Sequence, residues 1–574
     1  MTLLSQAVGS TYVPLIKETS IGQLLDKAAE KYDNRVALSS SHEERTVSFV
    51  QLKNEATKLA AGLTAIGLHP GDTILFWGAN HVDLIIGVLA CAKAGFVFSC
   101  MNPGLSMQAV LMQLTTFNCN YRCLIAFPSL GNGAAYQMLH AIYPKIREAK
   151  GKGKLTIPEV PTLTHVVMTE DETKYPGCYT LAEIYALGTP KLTKQVLELQ
   201  NKVKHEDTAA IMFTMGTTGD PKGVMLTHFQ LINACLISGI QLSLDHKNQV
   251  FCCPAPTFRG PVLCLAALCP LVFGATTVFP SPMPTPAVIL ESVQEKKCTV
   301  LLSNPIAFHL MLRLPEARHF DITSLHKVCL VGEQIPPELV GNLKRRSPST
   351  HIVTGMFHTE SGCMPIVWPL VAPEQRLGSA QGTVAPHYEI KLVTHANETV
   401  NRGEIGELLV RPIGGTELVG YAGKAELKDN FYYDGWMYTS DAATMDQDGY
   451  VTILGQRLDL IQDKSGKLIC PWPIEKELRA HDQVLGVNVV AVPSGEYSQL
   501  AACVIMKDKG SRQIDEVKLR KELLAICKET KVREPDYIIV MKDMPKTPGR
   551  KVQKYKLREV IIELVKEQYP KVKF

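Results

Sequence analysis

The sequence predicts an α/β protein: a large N-terminal unit of several subdomains, with parallel sheets covered by helices plus a β-rich portion, and a small α+β C-terminal unit. Three observations predict it. Segments of helical and strand period alternate as far as Val353, the pattern of a mainly parallel sheet clothed in helices. From Gly403 the texture changes to short strands separated by turns. The last stretch, about 115 residues, carries strand and helix patterns of its own and suffices for a small domain. A chain of 574 residues exceeds one ordinary core. The expected division is 1–456 and 457–574.

The elements follow in order. Ile21 to Tyr32 and Phe49 to Leu63 place apolar residues at helical spacing. Thr73 to Trp77 reads as a short strand ahead of Gly78, Val82 to Ala94 as a helix, and Phe96 to Ser99 as a strand. The Lys-rich stretch Lys145 to Lys154 reads as a surface loop. Beyond Gly403, GEIGELLVRP and YVTILGQRLDLI suggest antiparallel strands. The C-terminal unit offers strands at Val487 to Val492, Ala501 to Ile505 and Tyr537 to Val540, and a helix from Ile514 to Lys528.

Two apolar stretches invite comparison with membrane spans. Leu84 to Cys100 contains Lys93, and Pro261 to Phe279 contains Pro270 and Gly274; each reads better as a buried helix running into a buried strand, so no transmembrane segment is expected. The formal net charge of +4 is too small for a dedicated nucleic-acid binder. The 16 cysteines show no zinc-type spacing and read as reduced, mostly buried thiols. The opening MTLLSQAVGSTYVPL lacks a basic start with a long apolar core, and YPKVKF is no peroxisomal address. A cytoplasmic location is expected, with mitochondria or another organelle left open.

The segment richest in chemistry is Ile211 to His228. An apolar strand runs into Thr214-Met215-Gly216-Thr217-Thr218-Gly219-Asp220-Pro221-Lys222-Gly223. Glycines permit close backbone approach, threonine hydroxyls and N–H groups can bond phosphate oxygens, and Lys222 adds a mobile positive charge. The spacing is not that of a Walker A loop. An ordinary Gly-rich turn needs neither this density of hydroxyls nor the Pro-Lys-Gly that follows.

This loop resembles the T-S-G-T-T-G-x-P-K-G signature of adenylate-forming enzymes, with Met215 at the usual serine. The resemblance, to acyl-CoA synthetases of the medium-chain type, extends from TSIGQLLDKAAEKYDNRVAL to MPKTPGRKVQKYKLRE. It implies activation of a small-molecule carboxylic acid, fatty or fatty-acid-like, with ATP, Mg²⁺ and coenzyme A through an acyl-adenylate. It also implies an N-terminal adenylation domain and a mobile C-terminal domain that rotates between the half-reactions.

Carried over residue by residue, Lys551 stands at the adenylation lysine, although the usual Ser-Gly before it is Gly549-Arg550. Read alone, it is a solvated charge in a basic tail. His358-Thr359-Glu360 resembles the end of Y-G-x-T-E: Thr359 donates to phosphate, Glu360 helps hold Mg²⁺, and Met356-Phe357 replace Tyr-Gly, with Phe357 a possible face for adenine. Glu360 alone would be a solvated loop carboxylate. Tyr438-Thr439-Ser440-Asp441 resembles Y-x-T-G-D, with Asp441 on the ribose and Ser440 tightening the turn. Gly332-Glu333-Gln334 falls where backbone lines the adenine site, or is a plain strand-end turn.

The hinge pattern G-R-x-K-D appears as Gly455-Gln456-Arg457-Leu458-Asp459. Gln456 stands at the ribose-binding arginine; Gln456 and Arg457 are both nucleotide-binding candidates, and Arg457 could reach around although on a strand its side chain would face the other way. The loop expected to meet the thiol contains Ser465, Gly466 and Lys467. On the acyl side, Phe258-Arg259 replaces an aromatic-His pair; Arg259 either holds a polar group or second carboxylate of the substrate or pairs with a nearby acid. A diverged relative that binds nucleotide or acyl ligand without turnover is the alternative, favoured by Met215, Phe357, Gln456 and Leu458. Oligomeric state is not legible.

Overall fold

The computed structural model describes residues 3–115, 119–170, 174–214, 221–332, 335, 337–370, 372, 376–378, 380–394, 396–414, 419–424, 428, 431–507, 516–546 and 552–568. The N-terminal helices begin where the sequence supplies caps. Ser20 with Gln23, Ser48 with Gln51 and Thr227 with Gln230 form reciprocal capping boxes, which start the helices Ile21–Tyr32, Phe49–Ala65 and His228–Gln241.

Three sheets make up the larger part. The first runs, among the described residues, from Gly420–Tyr421 through Gly223–Thr227, Thr208–Phe213, Val97–Met101, Thr73–Trp77 and Tyr121–Ala126 to His165–Met168 and Tyr179–Thr180; its interior pairs are parallel and its first two pairs antiparallel. The second has a parallel interior that includes Val250–Cys252, Val300–Ser303, Lys327–Val331 and His351–Met356. The third is antiparallel, with Tyr388–Val393, Gly406–Pro412, Trp436–Met445 and Val451–Gln456. One large apolar core spans helices and strands of all three.

From Ile461 onward the elements form sheets of their own. Val484–Ser494, Tyr497–Met506 and Tyr537–Val540 make a three-stranded sheet. Strand alternation sends Val487 and Val489 to one face, against helices Pro471–Arg479 and Glu516–Thr530. Val490 and Val492 go to the other face, against Lys554–Gln568.

Some boundaries differ from expectation for local reasons. The Phe96 N–H still bonds the Cys91 carbonyl past Gly95, so the strand begins at Val97. The first two C-terminal strands run further than the apolar pattern because Gly495 turns a two-residue hairpin, pairing Ser494 with Tyr497. Within the expected loop at 145–154, Pro144–Glu148 forms a 3₁₀ turn anchored by buried Ile146. Both apolar stretches are a buried helix leading into a strand: Val82–Ala94 into Val97–Met101, and Gly260–Phe273 into Thr276–Phe279. Among the described residues no helix is long and apolar enough to cross a membrane. All 16 cysteines are free thiols, and all but Cys470 are buried.

Candidate active site

Three segments that leave the carboxyl ends of strands converge at one place, the usual position for ligands in open α/β sheets. The first follows Thr208–Phe213 into the Gly/Thr loop. Its base is closed by the Thr214 N–H donating to the Lys222 carbonyl (3.0 Å) and the Lys222 N–H donating to Thr214 Oγ1 (3.0 Å). The second follows His351–Met356 and carries His358, Thr359 and Glu360. The third follows Val250–Cys252 and carries Phe258 and Arg259 up to the helix Gly260–Phe273. Glycine at 260 permits the contact: a Cβ there would lie 3.0 Å from Met212 Cβ and 3.6 Å from Thr359 Cγ2.

Lys222 and Glu360 face the same neighbourhood. The Lys222 ammonium sits 3.6 Å from the centre of the Phe431 ring and 5.6 Å from that of Tyr421. The Tyr421 hydroxyl donates to Glu360 Oε1 at 3.1 Å, and His358 Nδ1 lies 3.5 Å from Glu360 Oε2. Burial lowers the Lys222 pKa, partly opposed by the Glu360 charge. Burial, and then Glu360 beside it, pushes the Tyr421 phenol up, so Tyr421 acts as a donor. Neither Phe431 nor Tyr421 was expected from sequence; the only signal is that both flank a Gly- and Tyr-rich run. Phe357 is half-buried, with part of its ring packed against the large core.

Asp441 is buried on the strand Trp436–Met445, where it pairs across with Gln456, and Gln456 Nε2 donates to Asp441 Oδ1. Ser440 adopts φ of 60°, a left-handed backbone inside a bulge of that strand. Arg457 departs from expectation. The strand ends at Gln456 and Arg457 opens a 3₁₀ turn, so strand alternation does not govern it; its Nε lies 3.2 Å from Glu407 Oε2. Phe431, Tyr438, Ser440, Glu407 and Arg457 line a half-open cleft of about 310 Å³.

The remaining expected residues are placed as follows. Gly332 ends the strand Lys327–Val331 with φ of 103° and open space beside it. Arg259 is exposed, yet surrounding protein lowers its pKa; among the described residues no carboxylate pairs with it, and Asp220 and Glu333 lie outside them. Ser465, Gly466 and Lys467 lie in a hairpin between Ile461–Gln462 and Leu468–Ile469, pinned by Asp463 Oδ1, which accepts from the Ser465 and Lys467 N–H groups and the Ser465 hydroxyl. Met215, Gly216, Thr217, Thr218, Gly219, Asp220, Glu333, Gln334 and Lys551 lie outside the described residues. Pro221 leads into the closed base of the loop.

Against known proteins, the family described as AMP-binding enzyme matches residues 25–417, more than half of the chain. The chain belongs to the AMP-binding enzyme family. Among its relatives is the protein named medium-chain acyl-CoA ligase ACSF2, mitochondrial, of Mus musculus, 30% identical over 567 residues, 97% of this chain and 89% of the relative. Another is a putative acyl-CoA synthetase, YngI, of Bacillus subtilis, 30% identical over 553 residues, 95% of this chain and 98% of the relative. The fold of this AMP-binding enzyme is shared with the anthranilate CoA ligase AuaEII, solved with anthranoyl-AMP (TM-score 0.76, 22% identity, 96% of this chain and 98% of that one). It is shared equally with ATP-bound MatB of Rhodopseudomonas palustris (TM-score 0.76, 21% identity, 95% of this chain and 100% of that one).

Proposed function

We propose that this AMP-binding enzyme is an acyl-CoA synthetase. It activates a carboxylic acid with ATP and Mg²⁺ and passes the acyl group to coenzyme A. A carboxylate oxygen attacks the α-phosphorus, the bond to the β-phosphate breaks, and pyrophosphate leaves. The thiol sulfur then attacks the acyl carbon, AMP leaves, and the thiol proton goes to solvent. The observation that carries this reading is the convergence of Lys222, at the foot of the Gly/Thr loop, with Glu360, held by Tyr421. A reaction between two anions needs cations and aligned donors where charge develops.

Glu360 suits a magnesium ion. It is a hard oxygen donor whose Oε1 is held by Tyr421, while the neighbouring His358 Nδ1 has no hydrogen bond among the described residues and lies 3.5 Å from Glu360 Oε2. When bound, Mg²⁺ neutralises phosphate charge. Lys222 binds the terminal phosphates, Thr359 donates to phosphate, and Asp441 accepts from the ribose. Lys551, assigned by resemblance, bridges the acid and the α-phosphate. The 463–467 hairpin approaches the thiol substrate when the unit 457–574 rotates about the turn at Arg457–Asp459. That boundary is supported by the end of the third sheet at Gln456 and the separate cores beyond Ile461.

Arg259 reads a polar group or second carboxylate at the far end of the acid, supported by its lack of a carboxylate partner among the described residues. Its replacement by histidine shifts preference toward plain fatty acids. We place the enzyme in the cytoplasm; cell fractionation showing a mitochondrial protein, as the relatives' names have it, would reverse that placement.

The test is pyrophosphate release with Mg-ATP and a panel of fatty, aromatic and dicarboxylic acids, with and without coenzyme A. Acid-dependent release lost in Lys551→Ala supports the reading. Nucleotide binding without release by any acid makes the protein a binding relative instead.

A further inference from the structure

A second cluster of chemistry-bearing side chains lies outside the candidate active site. His42 and Glu43 occupy the turn between the strands Val36–Ser40 and Arg45–Ser48; His81 precedes the helix Val82–Ala94. One ligand atom from each of the three lies within 4.8 Å of the other two.

The rest of each side chain is already fixed. Ser40 Oγ lies 3.1 Å from His42 Nδ1, so Nε2 is the nitrogen of that ring left for an ion. Ser129 Oγ lies 3.2 Å from His81 Nε2, which leaves Nδ1 toward Glu43 Oε1 at 3.3 Å. The Val82 N–H donates to Glu43 Oε2 at 3.1 Å, which leaves Oε1 facing His81 Nδ1, a contact that a bound ion would replace. The His81 ring is further clamped by stacking on Phe127, 5.1 Å between centres. Hydrogen bonds on the far atom of each ligand are how proteins orient imidazole and carboxylate toward a metal.

Charge favours a cation as well. The neighbouring Arg45 is engaged by Asp83 at 2.8 Å and by Glu55, so among the described residues the Glu43 carboxylate faces His81 and no guanidinium. Two imidazoles and one carboxylate select a divalent transition metal over Mg²⁺ or Ca²⁺, which take oxygen ligands. Modest side-chain rotation brings three such donors to about 2.0–2.1 Å from one ion, with water completing a tetrahedron.

We propose that His42, Glu43 and His81 form a zinc site that staples the Ser40–Arg45 turn to the start of the helix Val82–Ala94. The staple borders the acyl side of the enzyme. Asn80, next to His81, accepts from the Thr257 N–H at 2.9 Å and donates its own N–H to Thr257 Oγ1 at 2.8 Å, one residue before Phe258. Zinc occupancy therefore stiffens a wall that the segment carrying Arg259 leans on. The site stands independently of the proposed reaction.

The test uses the full-length protein stripped with chelator, without nucleotide, titrated with Zn²⁺ and separately with Co²⁺. One equivalent of Zn²⁺ is expected to bind and to raise the melting temperature. His42→Ala, whose side chain is exposed and whose loss is expected to leave the circular dichroism spectrum unchanged, is expected to weaken binding at least about tenfold, as is Glu43→Gln. Glu360→Gln is expected to bind as wild type does. The Co²⁺ form should show tetrahedral d–d absorption with no thiolate charge-transfer band. Equal affinity in wild type and His42→Ala, a thiolate band, or no binding at all overturns the proposal.

Discussion

Acid should loosen the packing just beyond the Gly/Thr loop, and one histidine sets how much. His228 opens the helix His228–Gln241 and is almost fully buried; its Nδ1 accepts from the Ile21 N–H at 3.3 Å, which ties that helix to the start of Ile21–Tyr32. Burial lowers its pKa from 6.5 to about 4. The folded state thus holds His228 neutral, while the unfolded chain protonates near 6.5. The stability is complete above pH 6.5 and is lost as pH falls from 6.5 toward 4. At about 1.4 kcal/mol per pKa unit the whole window is worth about 3 kcal/mol, and moving from pH 7.5 to 5 uses about 2 kcal/mol of it. His228→Asn keeps an acceptor for the Ile21 N–H and removes the titration. Chemical denaturation of wild type and variant at pH 7.5 and 5 should give the variant a smaller acid loss by about 2 kcal/mol. Equal losses in the two proteins would falsify the assignment of a neutral, buried His228.

Other perturbations separate structural from chemical roles. Lys93 is fully buried with its ammonium 2.7 Å from Asp26, so Asp26→Asn strands a buried charge and should cost about 3–5 kcal/mol, whereas Lys93→Met in the same background recovers most of it; a denaturation cycle reads both. Ser440 holds the left-handed backbone at φ of 60°, so Ser440→Gly should leave the melting temperature unchanged or higher and Ser440→Val should lower it; a drop with glycine refutes the strain argument. Lys222→Ala should reduce acid-dependent pyrophosphate release about 10²–10³-fold, while Phe431→Leu, which removes only the ring under the ammonium, should cost less than about tenfold; similar losses in both would make Lys222 a packing residue.

Much of the fold was legible because its signals are local. Capping boxes at Ser20, Ser48 and Thr227 and the apolar period behind them mark helices without knowledge of what they pack on. Contiguous motifs made Lys222, Glu360 and Asp441 candidates in the same way, and the structure places Lys222 and Glu360 in one neighbourhood. What escaped is what depends on distant partners. Tyr421 matters because it meets Glu360, 61 positions earlier, and Phe431 because it lies under Lys222. Neither residue carries a motif. The orientation of Arg457 was misjudged because one residue decides whether it sits on a strand or in the turn that ends it.

The hinge shows how a chain can shift an arginine by one position and remain electrostatically closed. With glutamine at 456, the cross-strand partner of Asp441 is a neutral amide that donates one hydrogen bond and leaves the carboxylate its charge. The guanidinium at 457 leaves the strand and meets Glu407, itself buried. The C-terminal side closes separately: Arg558, on the helix Lys554–Gln568, donates to the Leu458 carbonyl at 2.7 Å and lies 3.7 Å from Asp459. The Arg457–Glu407 pair therefore reaches back across the 456/457 boundary to the third sheet, whereas the Arg558 contacts stay within 457–574. A rotation that pivots beyond Arg457 leaves the Glu407 pair in place, and exposed Leu458 at that turn has no charge to carry across. On this reading the polar residue usual at that position is dispensable, because its electrostatic work has moved to its neighbours.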